Sequence, residues 1–245
     1  MNPSLSIIIP ARNEKKYIEL IIRRLSAVPL PKNTELLFVE GHSADGTLDE
    51  IKKTAEKYKN RINVRWAVQE GSGKADAVWK GFGLAKNEIV MILDADLTVR
   101  PEDLPKFYEA IIPDGRRFVN GSRLTLKMEK GAMRFLNYLG NKFFALLLSL
   151  ITGQKLSDTL CGTKAISRHQ FGEIQKSGLL EKLDDPFCDF SLLLGASYLG
   201  LKVVEVPIEY RKRIYGATKI RRFRDGWKLL KIAVRYLFLP KYVSK

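Results

Sequence analysis

The chain is poor in sulfur and imidazole, with two cysteines, Cys161 and Cys188, and two histidines in 245 residues. Two thiols make neither a disulfide framework nor a four-ligand zinc site. The sequence therefore reads as a protein of a reducing, cytoplasmic compartment. No apolar run approaches the roughly 20 residues of a membrane span. Phe143 to Ile151, broken only by Ser149, fits a core helix or a helix lying in a membrane interface. The N-terminus has neither a charged n-region nor a small-residue cleavage site. Its run Leu5-Ser6-Ile7-Ile8-Ile9 stops at Pro10, too short for a signal segment and suited to a buried strand. Internal repeats, low-complexity tracts and clear linkers are also missing. Hydrophobic residues at 45% and charged residues at 28% exclude a disordered chain, a collagen-like fibre and a multi-span membrane protein.

Acids are the scarce charge. There are 42 Lys and Arg against 27 Asp and Glu, a formal charge of +15. The surplus is concentrated. From Arg211 to Lys245 stand twelve basic residues and one acid, Asp225, while the other 210 residues carry 30 basic and 26 acidic groups. Such a balance points to a polyanion: nucleic acid, an anionic membrane or a phosphorylated substrate. No DNA- or RNA-reading motif is visible, so nucleic acid is not the expected partner.

Apolar patterning predicts strands at Leu5–Ile9, Leu36–Val39, Ile62–Val68 and Ile89–Leu93. Helices are predicted between them: Glu14 to Leu25, Leu48 to Tyr58 capped by Ser43, and Ala75 to Ala85 after a Gly-rich turn. This βαβα rhythm implies an α/β fold with a doubly wound, mostly parallel sheet. Ligands of such sheets sit beyond the carboxyl ends of the strands. The polar clusters Pro10–Glu14, Glu40–Thr47 and Asp94–Thr98 should then meet in one crevice. Further on, Val119–Arg123 reads as a short strand and polar turn. Leu201 to Ile208 reads as an edge strand, where Pro207 is tolerated.

Five clusters bear on chemistry, and each has a plain alternative. Asp94 and Asp96 leave a buried strand one residue apart, and like charges this close call for a cation such as Mg²⁺ or Mn²⁺; the alternative is a solvated turn capping the helix after Pro101. Gly71-Ser72-Gly73-Lys74 lacks the Walker spacing, yet a Gly-rich loop opening a helix can cradle an anion; the alternative is a flexible turn. Glu40 can accept hydrogen bonds from a base or ribose, or its loop simply turns and caps a helix through Ser43 and Asp45, with His42 a loop residue. Arg211 to Lys219 can close over a diphosphate, or is a solvated basic loop. In Arg221 to Leu239, an apolar stripe (Phe223, Trp227, Leu230, Val234, Leu237) runs beside a basic one (Arg224, Lys228, Lys231, Arg235). That describes a basic amphipathic helix on an anionic bilayer, or one docked on the domain with its charges in water.

In order, these segments resemble the family-2 inverting glycosyltransferases, above all the branch of dolichyl-phosphate mannose synthases and polyprenyl-phosphate sugar transferases. The resemblance rests on Ile7-Ile8-Ile9-Pro10-Ala11-Arg12-Asn13-Glu14, Val39-Glu40-Gly41-His42-Ser43-Ala44-Asp45-Gly46-Thr47 and Gly73-Lys74-Ala75-Asp76-Ala77. It continues through Leu93-Asp94-Ala95-Asp96-Leu97, Asn120-Gly121-Ser122-Arg123, Asp158-Thr159-Leu160-Cys161-Gly162-Thr163-Lys164 and Val204-Glu205-Val206-Pro207-Ile208, with Tyr210 following. It covers Leu5 to about Lys219. It implies a GT-A (Rossmann-like) catalytic domain over residues 1–219, followed by a basic amphipathic tail over 220–245.

By position, the resemblance assigns Pro10, Arg12, Glu14, Glu40, Lys74, Asp76 and Asp94 to the donor nucleotide. Asp94 and Asp96 would hold Mg²⁺ or Mn²⁺. Ser122, Arg123, Arg134 and Lys164 would meet the acceptor phosphate. Arg211, Arg213 and Lys219 would stabilise the departing diphosphate. The expected partners are a nucleotide sugar (GDP- or UDP-linked), a polyprenyl phosphate and an anionic membrane surface, placing the enzyme peripherally on the cytoplasmic membrane face. Two positions depart from the family: Gly41 stands where a second acid is usual, and Thr98 where the mannose synthases often have Gln. Many relatives carry transmembrane helices after the catalytic domain. None is seen here, so attachment falls to the tail and Phe143–Ile151. A saccharide hydroxyl acceptor would instead need a carboxylate base, for which Asp158, Asp185 and Asp189 are candidates. A sugar nucleotidyltransferase would begin with a Gly-Thr-Arg loop, where Pro10-Ala11-Arg12 stands.

Overall fold

A computed structural model describes residues 3–113, 116–215 and 221–239. The early apolar runs form β1 (Leu5–Ala11), β2 (Glu35–Glu40) and β4 (Ile89–Ile92), nearly all of whose residues are buried. Strands covered on both faces have no reason to alternate, which is why they read as continuous runs. β3 (Asn63–Val68) is an exposed edge. With β5 (Arg117–Ser122), β6 (Lys164–Ser167) and β7 (Lys202–Pro207) they make one seven-stranded sheet, ordered β3-β2-β1-β4-β6-β5-β7. β6 alone runs against its neighbours β4 and β5, while every other pairing is parallel. The doubly wound, mostly parallel α/β sheet implied by the sequence is the one that forms, and β7 is its far edge.

Helices cover both faces. α1 (Lys15–Leu25) and α2 (Thr47–Tyr58) lie on one side, joined there by α4 (Leu104–Ile111), which follows a 3-10 turn at Pro101–Asp103. α3 (Lys74–Leu84), α5 (Phe135–Thr152), α6 (Arg168–Lys176), α7 (Leu179–Leu183), α8 (Asp189–Tyr198) and α9 (Arg222–Leu237) cover the other. Alternate residues of the central strands feed the two cores: Ile7, Ile9, Leu36 and Phe38 one, Ile8, Leu37 and Val39 the other.

Two expectations are corrected. Ser43 does not cap α2, whose N-cap is Gly46; the Ser43 hydroxyl instead accepts a hydrogen bond from the Asn13 amide at 2.9 Å. The Phe143–Ile151 run is only the second half of α5, which extends back to Phe135 and at 18 residues is long and apolar enough, by length and composition, to cross a membrane. Its inner face of Asn141, Phe144, Ala145 and Leu148 is nonetheless buried in the domain. Of the two placements left open for Arg221–Leu239, α9 is docked on the domain over its described residues: Leu229, Ile232 and Ala233 belong to the core beside Phe144, Leu148 and Phe190.

At the end of the sheet away from the crevice, the buried Glu35 ties the layers together. It accepts from Ser6 Oγ at 2.6 Å, from the Lys86 amide at 2.9 Å and from Arg65 at 2.7 Å.

Candidate active site

Parallel strands deliver their carboxyl ends to one edge, and antiparallel β6 delivers its first residue, Lys164, to the same place. The loops leaving β1 and β2 are laced together there. Asn13 Oδ1 accepts from the Ala44 amide at 2.9 Å, Thr47 Oγ1 accepts from the Glu14 amide at 3.0 Å, and Asp45 accepts from the Lys15 amide at 3.2 Å. In the loops after β1, β2 and β4, three non-glycine residues adopt left-handed backbone: Asn13 (φ 55°), His42 (φ 56°) and Leu97 (φ 54°). Such strain is held by surrounding structure and clusters at functional sites.

Asp94 and Asp96 face the crevice, each matched to a cation. Lys74 Nζ lies 2.9 Å from Asp94 Oδ1 and 3.2 Å from Oδ2. Asp96 Oδ1 accepts from the Thr98 amide and hydroxyl, and its Oδ2 lies 3.4 Å from Arg213, which also pairs with Glu14 at 2.5 Å. Burial pulls the Lys74 ammonium downward, but Asp189 and Asp94 override it and hold the group well above its usual range. Gly162 packs directly on this pair: a Cβ there would collide with Asp94 Oδ2 and Lys74 Nζ.

The donor assignments fall into two groups. Lys74, Asp94, Asp96, Glu14 and Arg213 converge. Arg12 is exposed and Pro10 half-buried beside them. Glu40 is buried and its carboxylate accepts from the amides of His42 and Ser43, shaping its own loop. Asp76 accepts from the Gly71 amide at 3.0 Å, fixing the Gly-rich turn. Gly73, at φ 92°, holds a conformation that favours glycine as it starts α3. Arg211 is exposed beside Glu209, and its amide donates to the Thr98 carbonyl at 3.0 Å. Lys219 lies outside the described residues.

Of the residues expected at the acceptor phosphate, Arg123 is gripped by the fully buried Asp158: Nε donates at 2.7 Å, Nη2 at 2.9 Å and the main-chain amide at 2.9 Å. Its guanidinium lies 5.0 Å from the Tyr210 ring centre. Burial pushes the Asp158 carboxyl up, but Arg123 overrides it and holds it down at about 2. Arg134 is exposed at the start of α5. Ser122 and Lys164 are not brought to the surface. Ser122 is fully buried, its hydroxyl 2.6 Å from that of Ser157. Lys164 is buried beneath the crevice, donating to Asn120 Oδ1 at 2.9 Å and to the Cys161 carbonyl.

Of the three candidate bases, Asp158 is committed to Arg123, and Asp185 accepts from the amides of Phe187, Phe190 and Ser191 at the start of α8. Asp189 differs. It is buried, 3.6 Å from Lys164 Nζ and 3.9 Å from Lys74 Nζ, and its Oδ1 has no hydrogen-bond partner among the described residues. Burial raises its pKa against the pull of both lysines. Cys161, pushed up to about 12 by burial, and Cys188, pushed up likewise, stay protonated.

A sequence model of glycosyl transferase family 2 matches residues 6–174. The chain belongs to glycosyltransferase family 2. Among curated relatives of this transferase, the dolichyl-phosphate hexose transferase of Haloferax volcanii is 30% identical, covering 94% of this chain and 92% of the relative. The dolichol-phosphate mannosyltransferase of Saccharomyces cerevisiae is 39% identical over 45% of this chain and 42% of its own length. The undecaprenyl-phosphate 4-deoxy-4-formamido-L-arabinose transferase of an Enterobacter species is 25% identical over 88% of this chain and 62% of its own length. The transferase thus spans nearly all of the first relative but less than two thirds of the other two. Its fold is shared with glucosyl-3-phosphoglycerate synthase of Mycobacterium tuberculosis bound to UDP. There the TM-score is 0.68 at 19% identity, over 97% of this chain and 81% of that one.

Sequence reasoning named the acidic pair, Lys74, Arg123 and Arg213 as candidate site residues. It missed Tyr17, whose hydroxyl accepts from the Tyr215 amide at 2.6 Å and so anchors the Arg213 segment to α1. It missed the roles of Asn120 and Asn141 as well. Asn120 stood inside the Asn120–Arg123 segment and Asn141 in no quoted segment, and their contacts, 44 and 17 residues away to Lys164 and Asp158, leave no local pattern.

Proposed function

We propose that this family 2 transferase moves a sugar from a nucleoside diphosphate to a polyprenyl phosphate, with inversion at the anomeric carbon. The observation that supports this reading is a set of basic groups paired with carboxylates where the strands end: Lys74 and Arg213 with Asp94 and Asp96, and Arg123 with Asp158. The names of the curated relatives support the lipid phosphate as acceptor.

A phosphate acceptor is already an anionic nucleophile, so the chain's task is charge management. Arg123, oriented by Asp158 and lying against the Tyr210 ring, would hold the attacking phosphate in line. One acceptor oxygen bonds to the anomeric carbon as the bond to the diphosphate oxygen breaks, and the nucleoside diphosphate leaves with that electron pair. Lys74 and Arg213 would exchange their carboxylate partners for the departing phosphate oxygens.

Among the described residues no three metal-ligating side chains cluster. The residues still fit a divalent cation, because hard cations of this kind commonly take one or two carboxylates and complete their shell with substrate phosphates. Asp94 and Asp96, about a quarter to a third exposed, are the two hard-oxygen donors. Bound there, Mg²⁺ or Mn²⁺ supplies charge neutralisation for the diphosphate; Mn²⁺ accompanies UDP in the mycobacterial synthase.

A lipid substrate needs a lipid-facing surface. The outer side of α5 exposes Phe135, Leu139, Phe143, Leu146 and Leu150, and that of neighbouring α9 exposes Phe223, Trp227, Val234 and Leu237. Arg224, Lys228, Lys231 and Arg235 are also exposed. Apolar and basic side chains together support peripheral attachment to an anionic membrane face.

A second reading, transfer to a saccharide hydroxyl, is favoured by one observation: Asp189, buried and raised in pKa close to Asp94, has the character of a general base. An acceptor competition separates the two. Purified enzyme is given labelled GDP- and UDP-sugars with either a polyprenyl phosphate or a panel of saccharides. Label entering the organic phase supports the first reading. Label in oligosaccharide, lost in Asp189→Asn, supports the second.

A further inference from the structure

α5 is the most apolar helix described, yet one of its four buried residues is an asparagine. Asn141 is 1% exposed and both ends of its amide are used. Nδ2 donates to Asp158 Oδ1 at 2.6 Å, and Oδ1 accepts from the Thr159 amide at 3.2 Å. A polar group buried at such a place is costly unless paired, so its pairing defines the relation between α5 and the Asp158 turn. Asp158 in turn fixes the Arg123 guanidinium through two parallel hydrogen bonds. The Asp158 carboxylate therefore joins two side-chain donors, Arg123 after β5 and Asn141 on the helix whose opposite side is exposed and apolar.

We propose that Asn141 is a positioning residue for the acceptor site: it sets the Asp158 carboxylate, and through it the Arg123 guanidinium, in register with α5. The donor end is built differently. Lys74 pairs with Asp94, and Asp96 is held by Thr98 and Arg213. The link from Asp158 toward them runs through the Asp158 carbonyl, Asn120 and Lys164. Loss of the Asn141 amide therefore disorients Arg123 and leaves the donor cations in place. The role in acceptor binding rests on the polyprenyl-phosphate reading. The orientation of Arg123 does not, and the test separates them.

Asn141→Leu keeps the branching of the side chain and removes both hydrogen bonds, at the cost of added bulk; Asn141→Ser, smaller and unable to reach Asp158, is the second variant should the first fold poorly. Two quantities are measured in the full chain. The first is KM for a water-soluble short-chain isoprenyl phosphate against KM for the nucleotide sugar. The second is the NMR signal of the Arg123 Nε–H, a bonded proton shielded from exchange in the wild type. The expected result is an acceptor KM raised about tenfold, a scale set by loss of alignment at a reacting group. The donor KM stays at its wild-type value and the Arg123 signal is broadened by exchange. Equal changes in both KM values, or an Arg123 signal identical to wild type, overturns the proposal. If wild type ignores isoprenyl phosphates, the acceptor reading fails on its own, and the Arg123 signal alone decides the role of Asn141.

Discussion

Replacing Asp158 with asparagine puts a number on the buried Asp158–Arg123 pair. The carboxylate is fully buried and accepts from Arg123 three times, from Asn141 and from the Leu160 amide. A neutral carboxamide at this position cannot serve all these donors, and it leaves the Arg123 guanidinium, 12% exposed, without its counter-charge. Breaking a buried pair from one side costs about 3–5 kcal/mol. The depressed pKa gives a second figure for the same interaction. The Asp158 carboxyl is held at about 2 against an ordinary 3.8, which corresponds to about 2 kcal/mol of stability at neutral pH. Because the folded pKa is depressed, the unfolded chain takes up the proton first as pH falls. This stability is present above about pH 5 and drains away through pH 3.8 toward 2. Urea unfolding of wild type and Asp158→Asn at neutral pH should differ by about 3–5 kcal/mol, and at pH 3 the gap should narrow by about 1 kcal/mol. A gap under about 1 kcal/mol at neutral pH, or one that does not change with pH, would refute the argument.

Three other outcomes are expected. Asp96→Asn should remove the Mn²⁺-dependent part of nucleotide-sugar binding in calorimetry; unchanged metal-dependent binding speaks against the acidic pair as metal ligands. Gly162→Ala drives a methyl into Asp94 and Lys74, so donor KM should rise by about a hundredfold while the circular dichroism spectrum stays native; normal donor kinetics would place the donor diphosphate elsewhere. Phe223→Glu with Trp227→Glu alters side chains 89% and 60% exposed on α9 and leaves the docked Leu229, Ile232 and Ala233 untouched. It should abolish sedimentation with anionic vesicles, and retained sedimentation would exclude this face as the attachment surface.

Much of the framework was legible because its strands are buried on both faces. Ile7-Ile8-Ile9 and Leu36-Leu37-Phe38-Val39 can hardly be anything else, and each delivers its polar successor to the crevice. β6 was not legible. It has four residues, one of them a lysine, and sequence patterns place lysine in water; Lys164 is buried because Asn120, the Cys161 carbonyl and Asp189 surround its ammonium. For the same reason its expected place at the acceptor surface did not follow. α5 was read as half its length because Asn141 and Lys142 interrupt the apolar run, and the interrupting Asn141 turns inward to Asp158. The capping role expected of Ser43 failed to a long-range competitor, the Asn13 amide 30 residues earlier. The acidic pair and Arg123 were readable as residue types, whereas their partners Lys74 and Asp158 are 20 and 35 residues away and needed the fold.

The central claim is that the attacking atom is an oxygen of a lipid phosphate. Phosphorus NMR of a reaction with nucleotide sugar and a short isoprenyl phosphate reads this directly. The account predicts that the acceptor phosphomonoester signal converts to a phosphodiester in step with release of the nucleoside diphosphate. Release of the diphosphate with the phosphomonoester signal unchanged would contradict it.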